Sequence, residues 1–102
     1  MTKHLILFGF SGFDAPRVSE LTTTLAKLED SAIVLMQDAV IGCHTPEPYQ
    51  ALRSLNTPIY VLKEDYEARG FAVDSLIGGM THVSYLDLVD LIDSAEKVIS
   101  WL

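Results

Sequence analysis

The sequence predicts an α/β protein, a three-layer α/β/α sandwich around a mostly parallel sheet of about five strands. Three observations lead there. Short apolar runs recur along the chain with little charge inside them, as strands buried on both faces require. Between these runs lie segments of helical period, and strand–helix alternation builds βαβ units. The length of 102 residues, 49% of them hydrophobic, suits one domain with ample core material. The whole of residues 1–102 is therefore expected to form a single domain.

The elements follow in order. Lys3 to Phe10 (KHLILFGF) is a continuous apolar run and the first strand. Ser11 to Asp14 is a turn, and Asp14 can cap a helix with Ala15 and Pro16 in its first turn. That helix is expected to reach about Glu29, with Val18, Leu21, Leu25 and Leu28 on one face. Ser31 to Gln37 is the second strand, and Asp38 to Thr45 a loop at its carboxyl end. Thr45, Pro46 and Glu47 have the pattern of N-cap, N1 and N2 of a second helix ending near Asn56. Thr57 to Lys63 is the third strand, with Pro58 tolerated at its start. Glu64 to Arg69 is a short helix closed by Gly70. Phe71 to Met80 is irregular, broken by Gly78 and Gly79. Thr81 to Ser84 is a short fourth strand. Tyr85 to Asp93 is a helix with Leu88, Leu91 and Ile92 facing inward, capped by Ser84 with Asp87 at its third position. Glu96 to Leu102 is the last strand.

Composition excludes several functions. Seven basic against fourteen acidic residues give a net charge of −7, which phosphate backbones repel. Without any Lys or Arg cluster, direct nucleic-acid binding is not expected. The lone Cys43 excludes an internal disulfide and a Cys-based zinc site, and it fits a reducing compartment. No apolar run approaches a membrane span, and the interrupted apolar start lacks a cleavage site. A cytoplasmic protein is expected, with no metal and no cofactor. The large apolar share on a short chain hints at an oligomer.

Ligands of parallel sheets gather at the carboxyl ends of the strands. That rule places Gly9 to Asp14, Gln37 to His44 and Lys63 to Asp65 on one edge. Cys43 is the candidate catalytic residue. A thiol near a helix N-terminus can have a lowered pKa and hold a thiolate or persulfide. Otherwise it is a small apolar core residue. His44 beside it could share a proton, or simply be solvated. His4 and His82 suit structural places, and three scattered histidines match no metal spacing. Gln37 and Asp38 end the second strand, where a carboxylate can bind a ligand or form a turn. Asp65 and Arg69 stand at i, i+4, the spacing of an ordinary helix-surface ion pair. Gly9 and Gly12 form only G-x-x-G, without the third glycine or a Walker lysine.

Several stretches together resemble the TusB/DsrH family of sulfur-relay subunits. Ile33-Val-Leu-Met-Gln-Asp-Ala-Val40 is similar to the family's apolar strand ending in an acidic residue. Ile59-Tyr-Val-Leu-Lys-Glu-Asp65, followed by Ala68-Arg69-Gly70-Phe71, is similar to its next strand and helix. Ser84-Tyr85 with Leu88 and Val89 resembles its last helix, and Ser100-Trp101-Leu102 the ending of some members. The resemblance covers about Ser31 to Leu102 in order. It implies the DsrE/DsrF/DsrH-like fold and assembly with two sister subunits, of the TusC/TusD or DsrE/DsrF kind. Such a complex passes persulfide sulfur between small carrier proteins, toward 2-thiouridine in tRNA or in sulfur oxidation. The resemblance places the principal persulfide cysteine on the DsrE/TusD-type subunit. Thr23 stands near the place where some members carry a first-helix cysteine. Ala39 replaces the common glycine after the acidic residue. Cys43 matches no family cysteine. Asp38, Asp65 and Arg69 match family-pattern positions. Three functions are thus expected to compete: a non-catalytic relay subunit acting by protein contact, a sulfurtransferase carrying persulfide on Cys43, and a homo-oligomeric small-ligand binder.

Overall fold

The computed structural model describes residues 2–11, 24–47 and 49–102. Five strands form one sheet: β1 (His4–Phe8), β2 (Ser31–Leu35), β3 (Ile59–Leu62), β4 (Thr81–Val83) and β5 (Lys97–Trp101). Their order is β4-β3-β2-β1-β5, and every neighbouring pair is parallel. Three helices are described: α1 (Gln50–Arg53), α2 (Lys63–Ala68) and α3 (Tyr85–Ser94), with 3₁₀ turns at Gln37–Val40 and Val73–Ser75.

This order dictates the layers. Steps from β1 to β2, β3 and β4 all run the same way across the sheet. Right-handed crossovers place the described parts of these connections on one face. The return from β4 to β5 runs the opposite way, so α3 must cover the other face. The core divides accordingly. Ile6, Phe8, Ile33, Leu35, Ile59 and Val61 point to the first face, under Ala26, Tyr49, Leu52 and Tyr66. Leu5, Leu7, Ala32, Val34 and Leu62 point to the second, under Leu88, with Leu91 partly buried beside it. The strands are apolar at consecutive positions because both faces are covered.

Several expectations need correction. The second helix does not run from Thr45 to Asn56; only Gln50–Arg53 is α-helical. Thr45 cannot cap it, because its hydroxyl donates to the carbonyls of Gly42 and Glu47 instead of accepting an amide N–H. The first helix lies mostly outside the described residues, as do Asp14, Val18, Leu21 and Thr23. Thr24 and Leu25 are helical, and turns follow. The helix therefore stops short of Glu29, and Leu28 is exposed whereas Leu25 and Ala26 pack on the core. On α3, Ile92 is exposed rather than inward-facing. The last helix otherwise begins as expected. Ser84 accepts from the Asp87 amide and Asp87 accepts from the Ser84 amide, a complete capping box. Gly70 follows α2 with φ of 85°, a conformation glycine adopts freely.

Candidate functional site

The carboxyl ends of β2 and β3 and the start of α3 converge on one polar cluster. Its hub is Asp65, in the first turn of α2. One carboxylate oxygen accepts the backbone N–H of Gln37, and the other accepts the Tyr85 hydroxyl at 3.3 Å. Gln37 has a φ of 54°, costly for a residue with a side chain, and the Asp65 carboxylate fixes that conformation. Arg69 reaches across to Asp38, with Nε at 3.2 Å and Nη2 at 3.0 Å from the same oxygen. Its Nη1 donates to the main-chain carbonyl of Asp65 at 3.3 Å. The expected Asp65–Arg69 side-chain ion pair is therefore replaced by Asp38–Arg69. The 3₁₀ turn after β2 carries Asp38 to the guanidinium, and Asp65 turns instead toward Gln37 and Tyr85.

Two residues of this cluster escaped the sequence reading. Glu64 accepts the Tyr85 amide at 3.2 Å, so it serves the N-terminus of α3 from a neighbouring element. Tyr85 is exposed. The Asp65 carboxylate, foremost, holds its hydroxyl above the usual phenol range; desolvation and Glu64 act the same way, and Arg69 opposes them. The discoverable signal was position, since Tyr85 opens a helix at a strand's carboxyl end. The Gln37 side chain lies over Gly9, where an added Cβ would stand 2.5 Å from its Oε1 and 3.0 Å from the Leu102 side chain. Glycine at position 9 lets the ends of β1, β2 and β5 close together.

Cys43 and His44 stay outside this cluster. Cys43 is fully buried in a turn after the Gln37–Val40 segment, not at a helix start. Its Sγ lies 3.5 Å from the carbonyl of Ala39, which also accepts the Tyr49 hydroxyl at 2.7 Å. Burial pushes the thiol pKa up from 9.0 to about 12. The expected lowered pKa is thus reversed, because desolvation by burial penalises the thiolate. His44 is exposed and stacks on Phe71 with centroids 4.5 Å apart. Phe71 stacks on Tyr66, which tilts against His82, so His44 ends a row of rings. His4 and His82 bond backbone carbonyls of Glu29 and Val73. Among the described residues, no group of three or more His, Cys, Asp or Glu could hold a metal ion.

Arg69, Asp38, Asp65 and the Gln37 amide spend their groups on one another, which ties the carboxyl ends of β2 and β3 together, and Tyr85 adds the start of α3. Glu64 keeps one buried oxygen, Oε1, without a hydrogen-bond partner among the described residues. A cleft lined by Thr2, Ala26, Asp30, Ser31, Asn56 and Pro58 opens at the opposite, amino edge of the sheet.

Comparison with known proteins agrees with this fold. The profile of the family described as "DsrH like protein" matches residues 13–98. The chain belongs to the DsrH-like family. In general terms this makes it a sulfur-relay-related subunit. The crystal structure of the YchN protein from E. coli is similar in fold, with a TM-score of 0.79 and 22% identity over 99% of this chain and 100% of that one. The solution structure of protein Tm0979 from Thermotoga maritima has a TM-score of 0.60 and 30% identity over 88% of this chain and 91% of that one. No curated protein matches the sequence. None of the described helices of this DsrH-like chain is long and apolar enough to cross a membrane.

Proposed function

We propose that this DsrH-like chain is a non-catalytic subunit of a persulfide-relay complex. It works through protein–protein contacts with sister subunits of the TusC/TusD or DsrE/DsrF kind and with small sulfur carriers. The observation that carries the reading is the state of its sole thiol. A relay cysteine must present a thiolate to a partner's persulfide sulfur. Cys43 is buried and hydrogen-bonded inward, and burial pushes its thiol pKa up to about 12. The chemistry of the relay then falls to the partners. The pathway served is tRNA wobble-uridine thiolation or sulfur oxidation. The acidic surface favours a basic carrier.

The test is intact mass after incubation with a cysteine desulfurase and cysteine, on the native chain and on Cys43→Ser. No gain of sulfur is expected on either, with an active control carrier in the same mixture. A gain confined to the native chain would promote the sulfurtransferase reading and end this one. Co-purification with DsrE- and DsrF-type subunits is the positive arm. A chain that binds neither of them nor any carrier would also overturn the proposal.

A further inference from the structure

On the second face of the sheet α3 is the only described helix, and it reaches only part of the strands. Leu5 and Val98 are register partners on adjacent strands, so both point to this face. Leu5 is fully buried in the cluster that holds Leu88, whereas Val98 is 41% exposed. Ser100, the register partner of Leu7, is exposed as well. The cause is width. A helix with its side chains is about 10 Å across. The outer strands of a five-stranded sheet stand roughly 19 Å apart, at about 4.8 Å per step.

The flank of α3 beside this gap is apolar. Leu88 and Leu91 pack toward the core. Asp87, Asp90 and Ser94 border a cleft with Tyr60 and Val83, on the β3–β4 side. At about 100° per residue, Val89 and Ile92 lie on the opposite flank, turned toward β1 and β5. Val89 is 60% exposed, and Leu86 on the crest of the helix 79%. The result is an open shelf, with Val89 and Ile92 as its wall and Val98 and Ser100 as its floor. The rest of its rim is acidic. Asp90, Asp93 and Glu96 are exposed, and no basic residue occurs from Tyr85 to Glu96. Lys97 points to the other face with its register partner His4, and Lys3 is paired with Glu29.

We propose that this shelf docks an amphipathic helix whose apolar stripe is flanked by Lys or Arg, laid beside α3 over β1 and β5 and supplied by a basic sulfur carrier. Charge selects this occupant. A second copy of this chain would bring its own acidic α3 against the same carboxylates, a like-charge contact that disfavours it. An anionic membrane surface or a nucleic acid is repelled in the same way. A basic helix instead sets its stripe on Val89, Ile92 and Val98 and its cations beside Asp93 and Glu96, as in helix-in-groove recognition. Packed helices stand about 8–10 Å apart, which brings the guest over the uncovered strands. Only the source of the helix rests on the relay reading; the shelf does not.

The test uses the whole chain and a synthetic helical peptide of Leu and Lys with the leucines on one face. The peptide should bind saturably and shift the methyl resonances of Leu86, Val89, Ile92 and Val98, leaving those of Val83, across α3, in place. The same peptide with Glu for every Lys should not bind. Val89→Lys and Val98→Lys each put a cation on the shelf at an exposed position. Each should weaken binding by about tenfold or more, with the circular dichroism of the native chain retained. Absence of saturable binding overturns the proposal. So does binding that neither variant weakens, since the peptide is then held by the acidic surface at large, and so does equal binding of the Glu peptide. A sulfur carrier is titrated against the same chains. A carrier that binds the native chain and both variants alike keeps the relay reading and overturns docking on the shelf. A peptide that docks as expected, with no carrier binding to the native chain, overturns the carrier as the source of the helix while the shelf stands.

Discussion

At the scale of single residues, burial decides what Cys43 can do. Its thiol has the Ala39 carbonyl for a partner and no access to water. Native chain is therefore expected to react with a thiol reagent at pH 8 only as fast as the fold opens, with the slow phase abolished in denaturant; rapid labelling under native conditions would refute this. Stability should also depend on pH through this group. Its folded pKa is raised from 9.0 to about 12, so the unfolded state loses its proton first. The stability contribution is complete below pH 9 and fades as pH rises toward 12. Urea titrations across that window should show a steeper loss for the native chain than for Cys43→Ala. The polar cluster makes a different ranking. Asp38 and Arg69 form a pair whose carboxylate is mostly exposed, worth about 1 kcal/mol or less. Asp65 instead satisfies the amide of the strained Gln37 and the Tyr85 hydroxyl together. Asp65→Ala should cost roughly 1–3 kcal/mol, Asp38→Ala clearly less. Chemical denaturation giving the reverse order would mean that the ion pair, not the Asp65 hub, holds the edge.

At the scale of elements, legibility followed how local the cause was. Ser84 and Asp87 cap α3 through contacts three residues apart, so sequence alone could place that start. Ser84→Ala should lower stability by about 1 kcal/mol. The Asp87 carboxyl is held below its ordinary range, first by the Ser84 backbone N–H and then by its side chain. Its contribution is therefore present above about pH 4 and is lost as pH falls through the depressed folded value. Acid titration of the Ser84→Ala chain should show a weaker dependence in that range. The strands were legible for a similar reason, since each is a short apolar run with its own flanks. The helix expected from Thr45 was not, because its cause is distant. Tyr49 is drawn into the core by the Ala39 carbonyl, and Arg53 donates to the carbonyls of Pro46 and Gly78. These contacts shape a turn where local capping signals suggested a helix. The site was legible in part. Gln37, Asp38 and Asp65 were named by their place at strand ends and Arg69 by its i, i+4 spacing from Asp65, yet the partner expected for Arg69 was wrong. An i, i+4 spacing is visible in sequence, whereas the reach from Arg69 to Asp38 depends on adjacent strands. Glu64 and Tyr85 were missed because each acts on another element.

At the scale of the whole molecule, the topology leaves the two faces unequal. Among the described residues, the first face is covered by parts of several connections and the second by α3. Leu88 is the one buried residue of that helix, packed over Leu5, Leu7, Ala32, Val34 and Leu62. Leu88→Ala should cost about 2–5 kcal/mol and should loosen that face first. Charge acts at the same scale. The molecule has a net charge of −7, and its field is screened over about 10 Å at 0.1 M salt. Association with a basic sulfur carrier gains from that field, so added salt should slow the encounter and raise the Kd. Titration of the chain with a carrier from low to high salt measures the slope. A Kd indifferent to salt would mean that the carrier is held by apolar contact and that the acidic surface does not select it.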